Sequence, residues 1–173
     1  KACEEGRFDI ANELIELGAD SSSCITSLND VGRKSLFVEA IKNNNMKLFY
    51  DLIDYFENVY YKGIKERTYY GMSPMLSACE QQNVEIVKKL VELGADVQSA
   101  LLHACTFGSI EFVEMVISLG ADINCEFRYE MTPLLIAFGC GKQDLFFKLL
   151  EMGAEIDLKK DYLLMESCID FYN

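Results

Sequence analysis

The fold class the sequence predicts is an all-α solenoid of paired antiparallel helices joined by turns and finger-like loops, and three observations predict it. A short motif recurs as ELGAD at 16–20, ELGAD at 92–96, SLGAD at 118–122 and EMGAE at 151–155. Each copy closes an amphipathic run, DIANELIEL, EIVKKLVEL, EFVEMVISL or DLFFKLLEM, whose apolar residues fall at helical spacing. Upstream of three of these runs stands a shorter apolar segment, in MSPMLSAC (72–79), QSALLHAC (98–105) and MTPLLIAF (131–138). Self-similarity at intervals of a few tens of residues marks a repeat array, in which each helix pair buries its apolar face against its neighbours.

The first helix of each copy is expected to start at a serine or threonine cap, followed in two copies by Pro74 or Pro133. Proline suits the first helical position because its missing N–H has no partner there anyway. The turn to the second helix carries Gly6, Gly108 and Gly141 at matching offsets, with Asn44 and Gln82 in the same column. The second helix stops at the glycine of the recurring motif, since a helix C-terminus commonly needs one left-handed residue that only glycine adopts without strain. One copy, over 32–56, has Tyr55, Phe56 and Glu57 where Leu-Gly-Ala would stand, and is assigned by position and periodicity.

The pattern S/T-P-Φ-Φ-x-A, a second helix and G-A-D resembles the ankyrin repeat. Four nearly complete copies follow the second half of one, and LLMESC at 163–168 echoes LLHAC, marking a further first helix near Tyr162. The resemblance covers essentially the whole chain and implies an all-α ankyrin-repeat solenoid with β-turn fingers as connections. Its organisation is 1–29 (second half of a repeat plus finger), 30–68 (repeat with long finger), 69–97, 98–124 (a short repeat), 125–157, and 158–173, the start of a further repeat. The family's TPLH tetrapeptide appears here as SLFV, SPML, SALL and TPLL, without its histidine. Spacing from Gly18 to Phe56 and from Phe56 to Gly94 is 38, from Gly94 to Gly120 is 26, and from Gly120 to Gly153 is 33, the family's usual period. Two connections are therefore long and one is short. The opening at Lys1 in mid-repeat, with no polar capping repeat before it, leads us to expect a segment of a longer solenoid or ends covered by partners.

Composition narrows the function. Half of the 173 residues are apolar, enough for a folded domain, and the formal net charge is −12. So acidic a chain repels phosphate backbones, so no nucleic-acid partner is expected. No apolar run approaches the roughly 18–20 residues of a membrane span, so no membrane insertion is expected. The seven cysteines show no CxxC or CxxH spacing, which points away from a zinc or redox motif and toward a reducing compartment, the cytoplasm or alternatively the nucleus or cytoskeleton. Cys3, Cys79, Cys105 and Cys168 recur at one first-helix position and read as small core residues, whereas Cys24, Cys125 and Cys140 fall in connections or turns and are candidates for exposed thiols. FGCGK at 138–142 lacks phosphate-loop spacing, and the single histidine, His103, has no evident acid–base partner. No cofactor, no metal and no enzymatic activity are expected.

Binding is expected instead. The stretch NVYYKGIKERTYYG at 58–71 holds four tyrosines and three basic residues against one glutamate, inside an acidic chain. Read as a protruding finger, it places Tyr60, Tyr61, Lys65, Arg67, Tyr69 and Tyr70 where a partner would meet them, tyrosine and arginine being the residue types that dominate interface energetics. The competing reading is that these tyrosines pack against neighbouring fingers. His103 and Phe107, in mixed or polar columns that suggest exposure, and Phe127, Arg128 and Tyr129 in the finger CEFRYEM join the candidate set. The second helices carry acids such as Glu13, Glu85, Glu114 and Asp144, while Arg33, Lys34 and the finger cations sit elsewhere. The resemblance implies that fingers and first helices line a concave face, less negative than the back. It also marks Asn124 as a position that asparaginyl hydroxylases can modify, although a turn-stabilising asparagine is the preferred reading. The expected function is a protein-interaction scaffold or adaptor; an architectural part of a larger assembly, or a regulatory repeat region of a longer enzyme, are the alternatives.

Overall fold

The computed structural model describes residues 1–3, 5–59, 73–127 and 130–156. Among these residues it contains ten α-helices: α1 (Phe8–Glu16), α2 (Ser21–Ser27), α3 (Asp30–Lys42), α4 (Met46–Val59), α5 (Pro74–Glu80), α6 (Val84–Glu92), α7 (Val97–Phe107), α8 (Ile110–Ser118), α9 (Pro133–Gly139) and α10 (Gln143–Glu151). The repeat pairs are α3–α4, α5–α6, α7–α8 and α9–α10, with α1 the second helix of the opening copy.

The chain divides into two compact units, one of residues 1–81 and 85–95, the other of 82–84 and 96 onward. In the first, α3 lies against α4 of its own copy and against α5 of the next, and α1 packs on both α3 and α4. Phe37 and Phe49, both essentially inaccessible, stack at 5.2 Å between centroids with planes 8° apart, tying α3 to α4. In the second unit α7 packs on α8 and α9, and α10 on α9 and α8, so first helices meet first helices and second meet second. Leu101, Val113, Leu134 and Leu149 form its closed core.

Local chemistry accounts for the element ends. Ser73 Oγ accepts from Leu76 N–H at 3.0 Å and Thr132 Oγ1 from Leu135 N–H at 3.3 Å, each with proline next. Second helices close on left-handed glycines: Gly18, Gly94, Gly120 and Gly153 all have positive φ. Ala19, Ala95 and Ala154 then return their N–H to Leu14, Leu90 and Leu149 carbonyls, which is the Schellman closure. At the interhelix turns Gly6, Asn44, Gln82 and Gly141 are also left-handed.

Several expectations are corrected. Gly108 differs from the other residues of its turn column, with a φ of −78°. Ser109 N–H leaves the α7 closure and donates to Gln82 Oε1 at 2.9 Å, while Gly108 N–H bonds Ala104 O at 2.7 Å. Ser99 does not cap α7 either. The short connection brings the motif's own Asp96 to the helix start, where its carboxylate accepts from Gln98 and Ser99 N–H groups at 3.0 and 3.2 Å. The first finger is not an open loop, because Asp20 caps α2 within it and Ile25 and Leu28 bury at 3% and 9% exposure. The first helix of the 30–68 copy begins at Asp30 under an Asn29 cap, five residues before Ser35.

The cysteine reading changes most. Cys3 is buried as expected, yet it is bonded to Cys24, so neither is a free thiol. Folding of α2 brings the two Cα atoms to 5.8 Å, within the range a disulfide needs. The bond removes the cysteine argument for a reducing compartment.

Candidate protein-interaction surface

Eight of the eleven residues singled out for partner binding, Tyr60, Tyr61, Lys65, Arg67, Tyr69, Tyr70, Arg128 and Tyr129, lie outside the described residues. The flanks of the long finger are defined: α4 runs through Val59, so the first two positions of NVYYKGIKERTYYG are helical, and Ser73 caps α5 beyond it. Length that the spacing assigns to a loop is thus partly a longer helix.

His103 and Phe107 sit four positions apart on α7 and therefore share a face. Phe107, its last residue, is 47% exposed. His103 is half-buried rather than solvent-facing, and in its column Ser77 and Ile136 are buried. Among the described residues α7 lies against α9 and α5 against α3. Phe127 belongs to another element, the loop between α8 and α9, is half-buried, and donates its N–H to Met131 O at 2.8 Å.

Arg33 is also reassigned. It lies inside α3, its Nε donates to Ile25 O at 2.8 Å, and its guanidinium stands 4.7 Å from the Tyr55 ring centroid, holding α2, α3 and α4 together. A positive charge expected in a finger or just before a first helix lies within that helix and is used internally. Asn124 fits the turn-stabilising reading: its Oδ1 accepts from Glu155 N–H at 2.9 Å and its Nδ2 lies 3.4 Å from Gly153 O, linking successive connections.

The second-helix acids Asp9, Glu13, Glu16, Glu85, Glu111 and Asp144 are exposed. Tyr50 hydroxyl donates to Glu85 Oε1 at 2.9 Å, and that hydrogen bond raises the phenol's pKa. Lys148 Nζ pairs with Glu114 at 3.0 Å, which raises the ammonium pKa. Exposed apolar residues that motif reading passed over are Leu17 at 80% and Phe147 at 62%. Phe147 was legible, since its column otherwise holds Asn12, Tyr50, Lys88 and Glu114.

Burial pushes Cys79 and Cys105 up to about 12 and Cys125 up to about 11, so they are protonated at neutral pH. Among the described residues no group of His, Cys, Asp and Glu is placed to hold a metal, and no helix is long and apolar enough to cross a membrane. A cavity of about 270 Å³ lies beside the disulfide, lined by Cys3 and Cys24 with Ala11, Leu14, Ile15 and Ser23 among others.

A family model described as ankyrin repeats in three copies matches residues 1–100, and one described as a single ankyrin repeat matches residues 98–125. No curated protein matches the chain.

Proposed function

Because the chain belongs to the ankyrin-repeat family, whose repeats are protein-interaction modules, we propose that it is a non-enzymatic scaffold that binds a protein partner through its first-helix, concave face and the tyrosine-rich finger 58–71. The observation that carries this reading is compositional: four tyrosines, two lysines and an arginine gather in one connection of a chain with net charge −12. Tyrosine offers rigid contact area at low entropic cost, and lysine and arginine select an acidic or mixed-charge partner. The exposed Phe107 and the half-buried loop residue Phe127 extend the same chemistry, and Tyr129 is included in the proposed set on its sequence position. A chain this acidic does not take nucleic acid as its partner.

A photo-crosslinking residue placed at Tyr61 tests the proposal against one at Glu13 on the exposed acidic face of α1. The expected result is a specific protein adduct from position 61 and none from 13. Adducts from 13 alone would move the site to the acidic helices. Retention of the partner through molar salt would favour a permanent architectural role over a transient adaptor, because exposed charge pairs are screened there.

A further inference from the structure

We propose that the Cys3–Cys24 bond is a thiol-responsive clasp, which holds α2 against the turn that precedes α1 and releases it when a dithiol reduces the bond. The helix it holds is an insertion. After the equivalent motif of the 69–97 copy, Asp96 leads straight into α7, whereas after Asp20 the chain makes α2 before reaching α3. At seven residues α2 is too short to persist on its own.

Among the described residues α2 also packs on α4. Ile25 and Leu28 are its buried apolar anchors, Ser21 Oγ donates to Asp51, and the Ile25 carbonyl accepts from Arg33. A covalent tie at Cys24 adds to these and closes a chain separation of 21 residues. A crosslink of that span removes a substantial part of the entropy that release of the segment would gain. The sulfurs are also reachable: Cys24 is only half-buried, and both cysteines line the 270 Å³ cavity, large enough to admit a small thiol.

The exchange is balanced. One thiolate of the dithiol attacks Cys24 Sγ, the S–S bond breaks, and Cys3 departs as a thiolate that takes a proton from water. The second thiolate of the reagent displaces Cys24 from the mixed disulfide, giving two protein thiols and one oxidised dithiol, with two electrons passed to the protein. A disulfide such as oxidised glutathione runs the sequence in reverse.

Hydrogen–deuterium exchange of the full chain, in dithiothreitol and in oxidised glutathione, reads the clasp directly. The expected result is about tenfold faster exchange of amides 21–28 after reduction, with α8 and α10 unchanged, and a Cys24→Ser chain that behaves as reduced in both buffers. Equal exchange in the two buffers would overturn the proposal. So would peptide mapping that finds Cys3 and Cys24 unpaired in oxidised glutathione. Acceleration spread over α7–α10 would likewise overturn it, as the bond would then be a general stabiliser; the wild-type comparison stands even where the variant fails to fold.

Discussion

Asn45 Nδ2 lies 3.0 Å from Asn12 Oδ1, joining the turn before α4 to the middle of α1 across 33 positions of chain. Both side chains are buried, at 5% and 3% exposure. Asn45 also accepts the Leu48 N–H at 3.0 Å, so its amide caps α4 with one end and fixes the neighbouring repeat with the other. Burying such a pair is favourable only while both ends are matched.

Asn12→Leu therefore removes an acceptor while leaving Asn45 Nδ2 enclosed, at an expected cost of about 1–3 kcal/mol. The Asn12→Ala, Asn45→Ala double variant is expected to lose less than the sum of the single ones, because the second change no longer strands a partner. Urea denaturation of wild type, Asn12→Ala, Asn45→Ala and the double variant measures the coupling. Additive losses would mean that the pair does not join the two copies.

Ser77 is the opposite case. Its side chain is fully buried, and among the described residues its Oγ is the buried polar side-chain atom with no hydrogen-bond partner. Ser77→Ala removes an unmatched hydroxyl and is expected to raise stability by about 1 kcal/mol. A lower denaturation midpoint would show that the hydroxyl is satisfied.

Two glycines separate backbone from contact. Gly153 has φ of 98° and open space around the position of a Cβ, whereas a Cβ on Gly108 would stand 2.7 Å from Ala104 O and 2.9 Å from Phe112 Cδ1. L-alanine at 153 is expected to cost about 1 kcal/mol through backbone strain alone. D-alanine installed there by semisynthesis removes that cost. At Gly108 the penalty comes from the contact, so Gly108→Ala is expected to destabilise although its φ suits any residue. Thermal midpoints of the three chains decide this.

Cys79 and Cys105, raised by burial from 9.0 to about 12, give the fold an alkaline limit. The folded chain holds these protons more tightly than the unfolded one, so the stabilising contribution is complete below pH 9. It is lost as pH rises from 9 toward 12, where unfolding alone allows ionisation. Stability measured over that window is expected to fall, and Cys79→Ala, Cys105→Ala is expected to flatten the fall. An identical slope in wild type and variant would contradict it.

What was legible in the sequence follows from how local each cause is. The left-handed glycines at 18, 94, 120 and 153 answer a need of the helix end itself, so the motif locates them without tertiary information. The same holds for the Ser73 and Thr132 caps. Gly108 escapes such reading because the side chain of Gln82, in the preceding copy, decides its turn. The segment SSSCITS carries little helix propensity, and α2 exists through its Asp20 cap and the burial of Ile25 on neighbouring helices. Once α2 is missed, the Cys3–Cys24 pairing cannot be found, since α2 brings the cysteines together. Of the candidate binding set, Phe107 was read as exposed and is 47% exposed, while His103, read as an ordinary surface or concave-face residue, is half-buried.

The central claim, that the finger carries the partner, is tested most directly by affinity capture from native lysate. The wild-type chain is compared with one in which Tyr60, Tyr61, Lys65, Arg67, Tyr69 and Tyr70 are all alanine, and circular dichroism confirms that both are folded. The account expects a specific protein to be captured by the first and lost from the second. Equal capture by both folded chains would contradict it and leave NVYYKGIKERTYYG as packing.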